Sequence, residues 1–397
     1  MTVRLHIISA SDLVIYVRRL VLFCAMLMSG GLLLFPRAFL ASIIFLLGIF
    51  YFKVVSLNIK RKNLFIHLWL FFVLVVTFQL ADSTAIVIRF INFLVALIIL
   101  NIYWRTESEV IVSDMISILR PMAYQSVLTV LLALLLPSLF MSIDILGTDY
   151  KTLLLLFNYH NTVEGVSRLV RPDGFFFEPG VFQFYLNTYM FLIVTLKRPV
   201  KELLLATVAV FLTQSTTGLV IATLILYVFF YQNILKHSFK HKIIFVALAL
   251  VLSFPIGSFV YKNINLKLFG ELSGSSVTRL YDLRTGLGVI LNNPLTGIGF
   301  SHSNYAIESK QVDVSVEGLA TSDANGRSTS NGLLYLFYSI GIPLGLVLFI
   351  GLFRQRLLEH RMLFGTILTM SLLSEALIFT PIFLMVAFSG LVMKKGH

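Results

Sequence analysis

The chain contains little charge, and this scarcity decides its class. Only 13% of its 397 residues are charged, against about 25% in soluble domains. With 58% hydrophobic residues, the chain is predicted to be an integral membrane protein with many spans. The net charge of +12 therefore does not indicate nucleic-acid binding, because a membrane protein retains Lys and Arg on its cytoplasmic face.

Cysteine and the usual metal-binding motifs are also scarce. Cys24 is the single cysteine, so no intrachain disulfide can form. The sequence has no Asp-x-Asp motif, cysteine pair or phosphate-binding Gly-Lys loop. His237 and His241 have the spacing of two ligands on one helix face, but lysines flank them and no acidic partner is near. We therefore expect neither a metal nor an organic cofactor.

Apolar runs near 15–20 residues predict membrane-spanning helices. The predicted fold class is an all-α integral membrane protein that forms a single membrane domain over 1–397. The seventh and eighth runs are separated only by 214–217 and form either a tight hairpin or a broken pair. Twelve spans are predicted, near 20–35, 38–52, 64–80, 86–104, 122–140, 181–196, 203–213, 218–232, 243–260, 331–352, 362–379 and 381–393.

The distribution of basic residues predicts the orientation. Most of the 31 lysines and arginines fall on one side if the N-terminus is cytoplasmic, as with Arg18 and Arg19 before the first span. Both termini are then cytoplasmic, and two long loops, about 141–180 and 261–330, lie outside and carry short helices. Long loops translocate regardless of charge, so the arginines in these loops are either unrelated to orientation or are there to bind an anion.

The first loop contains the segment Arg-Pro-Asp-Gly-Phe-Phe-Phe-Glu-Pro-Gly at 171–180. Its prolines and glycines exclude it from lipid, because they leave backbone groups unpaired. It is either an ordinary polar loop with aromatics at the interface or a place for chemistry on a lipid headgroup.

The second loop contains a predicted amphipathic helix at 276–292. Leu280, Leu283, Leu287 and Leu291 recur at spacings of three and four, which places them on one stripe. We expect this stripe to lie on the membrane surface. Asn293-Pro294 ends the helix, and a Gly-Ile-Gly-Phe turn follows at 297–300.

Ordered motifs over about 165–385 resemble the O-antigen polymerase and ligase superfamily. They are Arg279-Leu-Tyr, then Asn-Pro-Leu-Thr-Gly-Ile-Gly-Phe at 293–300, then Ser330-Asn331-Gly. The loop at 171–180, the turn at 214–218 and Ser-Glu…Thr-Pro at 374–381 match further family segments. In the ligase branch a His precedes the Asn that opens the span. Here that position is Ser330, which favours the Wzy-type polymerases.

The resemblance implies a bacterial inner-membrane enzyme of the glycosyltransferase C class, with its active site on the periplasmic face. Such a polymerase of lipopolysaccharide biosynthesis transfers a growing glycan from undecaprenyl pyrophosphate to a lipid-linked repeat unit. It implies a metal-independent glycosyltransferase that contacts membrane lipid and no nucleic acid, and it leaves open a chain-length regulator as partner. The alternatives are an O-antigen ligase and a transporter of lipid-linked oligosaccharides.

Arginines are the candidates for binding the leaving pyrophosphate, because a guanidinium makes paired hydrogen bonds to phosphate oxygens. Arg279 and Arg284 on the predicted helix come first, and Arg168 and Arg171 follow. The alternatives for Arg279 are an ion pair with a nearby carboxylate or contact with a lipid headgroup.

Glu178 is the candidate catalytic base, since flanking phenylalanines would raise its pKa by desolvation. Alternatively it caps the sixth span. His302 is a second candidate base or substrate ligand. Phe176 is a candidate for bearing a sugar face or the prenyl start, and Asn331 for binding substrate.

Arg89 and Glu375 are charges inside predicted apolar runs. Such charges are costly in a membrane unless they are paired, lie near an interface or face a cavity. The two residues either pair with each other, reach the interface or line the substrate cavity. Glu375 also belongs to a motif shared with the superfamily, which makes it a candidate substrate ligand.

Overall fold

The computed structural model describes residues 10–30, 36–55, 83–104, 106–145, 148–160, 170–234, 261, 273–312 and 329–393. Helices dominate this part of the chain, because a backbone in lipid must satisfy its own hydrogen bonds. The described residues contain twelve α-helices. They are α1 Ala10–Gly30, α2 Arg37–Val54, α3 Ser83–Tyr103, α4 Ser108–Leu135, α5 Pro179–Thr195, α6 Val200–Leu212, α7 Thr216–Ile234, α8 Ser273–Asn292, α9 His302–Gln311, α10 Gly332–Phe353, α11 Arg361–Leu372 and α12 Pro381–Val392.

Several of these helices are long and apolar enough to cross a bilayer, and the chain is a multi-pass membrane protein. In the described residues five candidate spans occur, at Asp12–Gly30, Arg37–Val54, Ala85–Tyr103, Ser108–Leu135 and Gly332–Phe353. Three shorter apolar helices are Thr216–Tyr231, Arg361–Leu372 and Pro381–Val392.

Ten of the predicted spans overlap these helices, with shifted bounds. The runs near 64–80 and 243–260 lie outside the described residues. The seventh and eighth runs are two separate helices, α6 and α7, joined by the turn at 213–215. Ser215 Oγ accepts a hydrogen bond from Gly218 N (3.3 Å) and so stabilises the start of α7.

The first helix starts earlier than predicted, and Arg18 and Arg19 lie inside it rather than before it. Both form ion pairs with the carboxylate of Asp114 in α4, which is fully buried. Asp114 accepts from Arg18, from Arg19 Nε (2.9 Å) and from the Tyr103 hydroxyl (2.9 Å). A hydrogen-bonded ion cluster of this kind lets charged residues enter the helix bundle.

Helix α5 is the centre of the bundle, and it begins immediately after Glu178. Fifteen of its 17 residues are buried, so protein surrounds it on all sides, as expected for a helix that is apolar all round. Tyr185 stacks on Phe176 with ring centroids 4.6 Å apart. The hydroxyl of Tyr185 donates to the carbonyl of Met26 in α1 (3.0 Å).

The first long loop carries a β-sheet, which corrects the prediction of short helices there. Strands β1 Met141–Ile145, β2 Thr148–Leu153, β3 Phe157–His160 and β4 Arg171–Pro172 form an antiparallel meander in sequence order. Tyr150 and Thr152 alternate with less buried neighbours, as one face of a strand requires. The sheet pairs His160 with Arg171 across β3 and β4.

The second long loop carries α8 and α9, as predicted. The leucine stripe of α8 is exposed, with Leu291 at 73%. The opposite face is buried and packs on α10 through Asp282, Thr285 and Val289. The stripe is therefore free to contact lipid, as the sequence analysis expected.

Helix α10 is kinked at Gly341, where φ is 76° and ψ is 167°. The turn at 293–299 lies against this kink and bonds the freed backbone groups. Ile298 N donates to the Tyr338 carbonyl (2.8 Å), Gly299 N to the Ser339 carbonyl (3.0 Å), and Ile342 N to the Pro294 carbonyl (2.8 Å). A broken helix is tolerated in a membrane protein when its backbone is satisfied in this way.

Candidate functional site

One end of the helix bundle contains a cavity of about 320 Å³. It lies where α1 ends and where α2, α5 and α10 begin, which is the side that the charge pattern predicts to be outside. The lining residues are Met28, Ser29, Gly30, Arg37, Arg89, Phe177, Val181, Phe300, Ser301, His302, Tyr305, Thr329, Tyr335, Tyr338, Glu375, Ala376, Leu377 and Thr380.

Glu375 lies on this cavity and not inside a helix, which corrects the predicted span 362–379. Helix α11 ends at Leu372, and the segment 373–380 connects it to α12. Glu375 N donates to the Ser371 carbonyl (3.0 Å) as the chain turns. The side chain reaches the first turn of α5, because a Cβ added at Gly180 would overlap the Glu375 carboxylate.

Glu178 lies beside Glu375 at the start of α5. It occupies the N-cap position, yet its side chain makes no capping hydrogen bond, so the capping alternative does not account for its carboxylate. Its negative charge acts on Glu375, and the positive charge of Arg279 in α8 acts on both carboxylates. The two loops and the α11–α12 connection therefore meet here.

Arg171 also belongs to this charged group. Its Nε donates to the carbonyl of Thr213 in the α6–α7 turn (3.2 Å), and its charge acts on Glu178. Arg284 is exposed on α8, five positions beyond Arg279. A separation of five residues turns the helix by about 140°, so it points the two arginines to different sides. Arg168 lies outside the described residues.

His160 and Asp173 complete the group, and the sequence analysis did not select either. The His160 ring nitrogen Nδ1 lies 2.9 Å and 3.0 Å from the two carboxylate oxygens of Asp173, which is fully buried. The charge of His160 acts on Glu178. Only the pairing of β3 with β4 brings His160 to this loop, so no local sequence pattern could reveal it.

Burial shifts the titration of these carboxyl groups in the same direction. It raises the pKa of Asp173 to about 6, against an opposing effect of the His160 hydrogen bond. It raises the pKa of Glu178, opposed by the charges of His160, Arg171 and Arg279. Burial and the Glu178 charge raise the pKa of Glu375 well above its ordinary value. Glu178 is exposed and Glu375 is 7% exposed, so desolvation acts more strongly on Glu375.

Phe176 is a packing residue in this structure, and Phe177 takes the place predicted for it on the cavity. The Phe176 side chain is 2% exposed and stacked on Tyr185, so its ring faces are not open to a sugar. Gly30 leaves room for this ring, which a Cβ there would overlap. Phe177 lines the cavity, and its carbonyl accepts a hydrogen bond from the Tyr150 hydroxyl (2.8 Å).

Asn331 and Ser330 organise the start of α10. Asn331 Oδ1 accepts from the backbone N–H groups of Leu333 (2.9 Å) and Leu334 (3.1 Å), which is an N-cap. Ser330 donates through both its backbone N–H and its hydroxyl to Asp282 of α8, at 3.0 Å each. These contacts fix the α8–α10 junction beside the cavity. The predicted substrate-binding role of Asn331 stays a prediction.

His302, Arg37 and Arg89 also line the cavity. His302 is exposed at the first position of α9. Arg89 lies over the Tyr335 ring, 5.3 Å from its centroid. The ion pairs of the described residues do not include one between Arg89 and Glu375. The structure therefore agrees with the alternative in which both residues line the cavity.

The cavity presents the Glu375 carboxyl group, the Arg37 and Arg89 guanidinium groups and an aromatic wall to a ligand, and Glu178 lies beside Glu375. Guanidinium groups stabilise phosphate charge, and a carboxylate with a raised pKa exchanges protons near neutral pH. Within the described ranges no group of three or more His, Cys, Asp or Glu side chains is arranged to hold a metal ion.

A comparison with family models matches residues 203–350 to the O-antigen ligase family. The match runs from α6 to α10 and includes Arg279, the turn at 293–299 and Asn331. No curated protein and no solved structure matches the chain. Proteins of this superfamily transfer glycans in O-antigen assembly and act on lipid-linked oligosaccharides in the membrane. The match covers less than half of the chain, and over those residues the chain is similar to the O-antigen ligase family, which supports a relation to the superfamily of O-antigen ligases and polymerases.

Proposed function

We propose that the protein is a polysaccharide repeat-unit polymerase at the periplasmic face of the bacterial inner membrane. The observation that carries the proposal is the convergence of Glu178, Glu375 and Arg279 beside a cavity at one end of the bundle. A cavity with a carboxylate and guanidinium groups suits transfer of a sugar from a diphosphate. The donor is a glycan on undecaprenyl pyrophosphate, and the acceptor is a lipid-linked repeat unit.

The reaction needs one base and a site for the departing charge. The acceptor hydroxyl oxygen attacks the anomeric carbon of the donor, and the bond from that carbon to the diphosphate oxygen breaks. Glu178 takes the hydroxyl proton, and the lipid diphosphate leaves with the bonding electron pair. Arg279 and Arg171 stabilise the developing negative charge.

Glu375 has a different role from Glu178 because it is more deeply buried. Burial and the Glu178 charge raise the pKa of Glu375 well above its ordinary value and so favour its neutral form. It then donates a hydrogen bond to a phosphate or sugar oxygen, as a neutral acid does. The His160 ring contacts the Asp173 carboxyl group beside Glu178, and this pair positions the base.

Ser330 favours a polymerase over a ligase. The ligase branch is expected to have His at this position, and here the Ser330 hydroxyl bonds to Asp282. We further propose a glycosyltransferase C fold, cytoplasmic termini and metal-independent turnover, which EDTA should leave unchanged. Transport of lipid-linked sugars is the other alternative, but the loops are long and unequal, unlike the internal repeats of many transporters.

A deletion strain tests the proposal, because each alternative leaves a different product. Loss of a polymerase leaves single repeat units on the final acceptor. Loss of a ligase leaves chains on the lipid carrier, and loss of a transporter leaves units inside the cell. Purified protein given two lipid-linked repeat units should produce a joined oligosaccharide. Failure of that reaction, with an intact protein and a confirmed substrate, contradicts the proposal.

A further inference from the structure

We propose that Arg37 and Arg89, which both line the cavity, form a second cationic site that binds the diphosphate of a lipid-linked substrate. The inference rests on the proposed function for the identity of the lipid. The site itself rests on the cavity that an exposed Arg37 and a half-buried Arg89 share, on the closeness of their guanidinium groups and on the lack of a paired carboxylate among the described residues.

The two arginines belong to different helices and reach the same cavity. Arg37 is the first residue of α2, and Arg89 lies near the start of α3. Both line the cavity together with Tyr335. Arg37 lies close enough to Arg89 for their like charges to repel, so the fold holds two positive groups together.

No carboxylate neutralises this pair among the residues that the structure describes. The described ion pairs involve Arg18, Arg19, Arg120, Lys151 and His160 as the basic partners. Arg89 contacts an aromatic ring, at 5.3 Å from the Tyr335 centroid. A cation–π contact supplies only part of the stabilisation that an anion would give. The two like charges repel each other, and a ligand of opposite charge would relieve that repulsion.

The backbone adds positive charge at the same place. Pro36 precedes α2, and its carbonyl accepts from Phe39 N (2.9 Å) and Leu40 N (3.3 Å). The first N–H groups of a helix have no intrahelical acceptor, and the helix dipole is positive at this end. Both features favour an anion beside Arg37, as at other anion-binding helix N-termini.

This site is separate from the charged group of the two loops. Arg171 acts on Asp173 and Glu178, and Arg279 acts on Glu178 and Glu375. Arg37 has Arg89 and Tyr335 as its electrostatic neighbours. A polymerase joins two substrates that each carry a diphosphate, so two cationic groups around one cavity match the number of anions that it must hold.

Binding of undecaprenyl diphosphate to the purified full-length protein in nanodiscs tests the inference. The variants are Arg37→Gln, Arg89→Gln and the double variant, with Arg37→Lys and Arg89→Lys as charge-retaining versions. Lys310→Gln, at an exposed position of α9, is the matched control. Inorganic pyrophosphate and phosphatidylglycerol, each used as competitor, distinguish a diphosphate site from a general phospholipid contact.

We expect the double Gln variant to bind undecaprenyl diphosphate at least about tenfold more weakly, since each guanidinium–phosphate contact is charge-assisted. The Lys variants should retain part of the affinity, and the control should match the wild type. Pyrophosphate should compete in the wild type, and phosphatidylglycerol should not.

The inference is wrong if the Gln variants bind the diphosphate lipid as tightly as the wild type does, or if phosphatidylglycerol competes equally well. Should the wild type bind no diphosphate lipid at all, the proposed function fails first. Should the wild type bind it through Arg37 and Arg89 yet join no repeat units, the site stands and the polymerase assignment fails. If the Lys variants retain binding and the Gln variants lose it, misfolding is excluded as the cause of the loss.

Discussion

At the scale of single residues, two glutamates near each other have different environments and should respond differently to the same substitution. Glu178→Gln removes the base and should lower the rate of glycan joining by roughly 100-fold or more. Glu375→Gln keeps a neutral side chain that donates a hydrogen bond, which is the form that the raised pKa of Glu375 favours, and should change the rate by less than about threefold. Rates with purified protein check this, and equal losses in both variants would contradict the assignment of roles.

The pH dependence of the reaction follows from Glu178. The base acts only when ionised, so the rate should fall as pH drops through its pKa. Burial raises that pKa above the ordinary value of 4.5, so the acidic limb of the rate profile should lie at a higher pH than for a free glutamate. A pH–rate profile for the wild type and for Glu178→Gln checks this, and an unchanged limb in the variant would assign it to another group.

Asp173 should make stability depend on pH. Its pKa is about 6 in the fold against 3.8 as reference, so the folded state binds the proton more tightly than the unfolded state does. Ionised Asp173 therefore costs stability above about pH 6, by up to about 3 kcal/mol, and this cost disappears as pH falls toward 4. Asp173→Asn should remove this dependence, which unfolding midpoints of both proteins measured from pH 4 to 8 would check. The prediction is wrong if the wild-type curve does not approach the variant's curve as pH falls toward 4.

At the scale of secondary-structure elements, the kink in α10 depends on glycine. A Cβ at Gly341 would overlap the Leu295 carbonyl, and φ there is +76°, a region that other residues rarely adopt. Gly341→Ala should destabilise the protein by more than about 2 kcal/mol. Leu295→Ala, at a side chain that is 73% exposed, is the control and should have little effect on the thermal unfolding midpoint.

Sequence periodicity was a good guide where an element makes its own pattern, and a poor guide where tertiary contacts decide. The spacing of the leucines in α8 predicts both the helix and the face of it that is exposed. None of the four strands is predicted from the sequence, because a segment of five residues such as Met141–Ile145 shows too little alternation of apolar and polar residues to be distinguished from a loop. The predicted start of α1 is too late, since a pattern of apolar residues cannot show that Arg18 and Arg19 will form ion pairs with Asp114.

The candidate site was partly predictable for the same reason. Arg171, Glu178, Arg279 and Glu375 stood out because charge is rare in this chain, and the fold brings them together. His160 did not stand out, because a loop histidine carries no local signal and only the β3–β4 pairing places it. The packing of Phe176 also could not be predicted, since the sequence does not distinguish three consecutive phenylalanines. Only the contact with Tyr185 of α5 shows which ring is buried.

At the scale of the whole molecule, the orientation in the membrane can be measured with thiol chemistry. Cys24 is the only cysteine and is buried, so the background should be low. Gln311→Cys, exposed on α9, should react with an impermeant maleimide in cells whose outer membrane alone is opened. Arg198→Cys, exposed after α5, should react only after lysis. The reverse pattern would place the cavity in the cytoplasm and end the periplasmic proposal.

Backbone hydrogen bonds join the turn at 293–299 to α10 on both sides of Gly341. The turn and this part of α10 therefore move together. Movement of this turn therefore has to move the backbone of Tyr338, whose side chain lines the cavity. The backbone bonds of the turn therefore fix the width of the cavity at Tyr338, and any ligand that enters there meets a wall held in place by main-chain hydrogen bonds rather than by side chains alone.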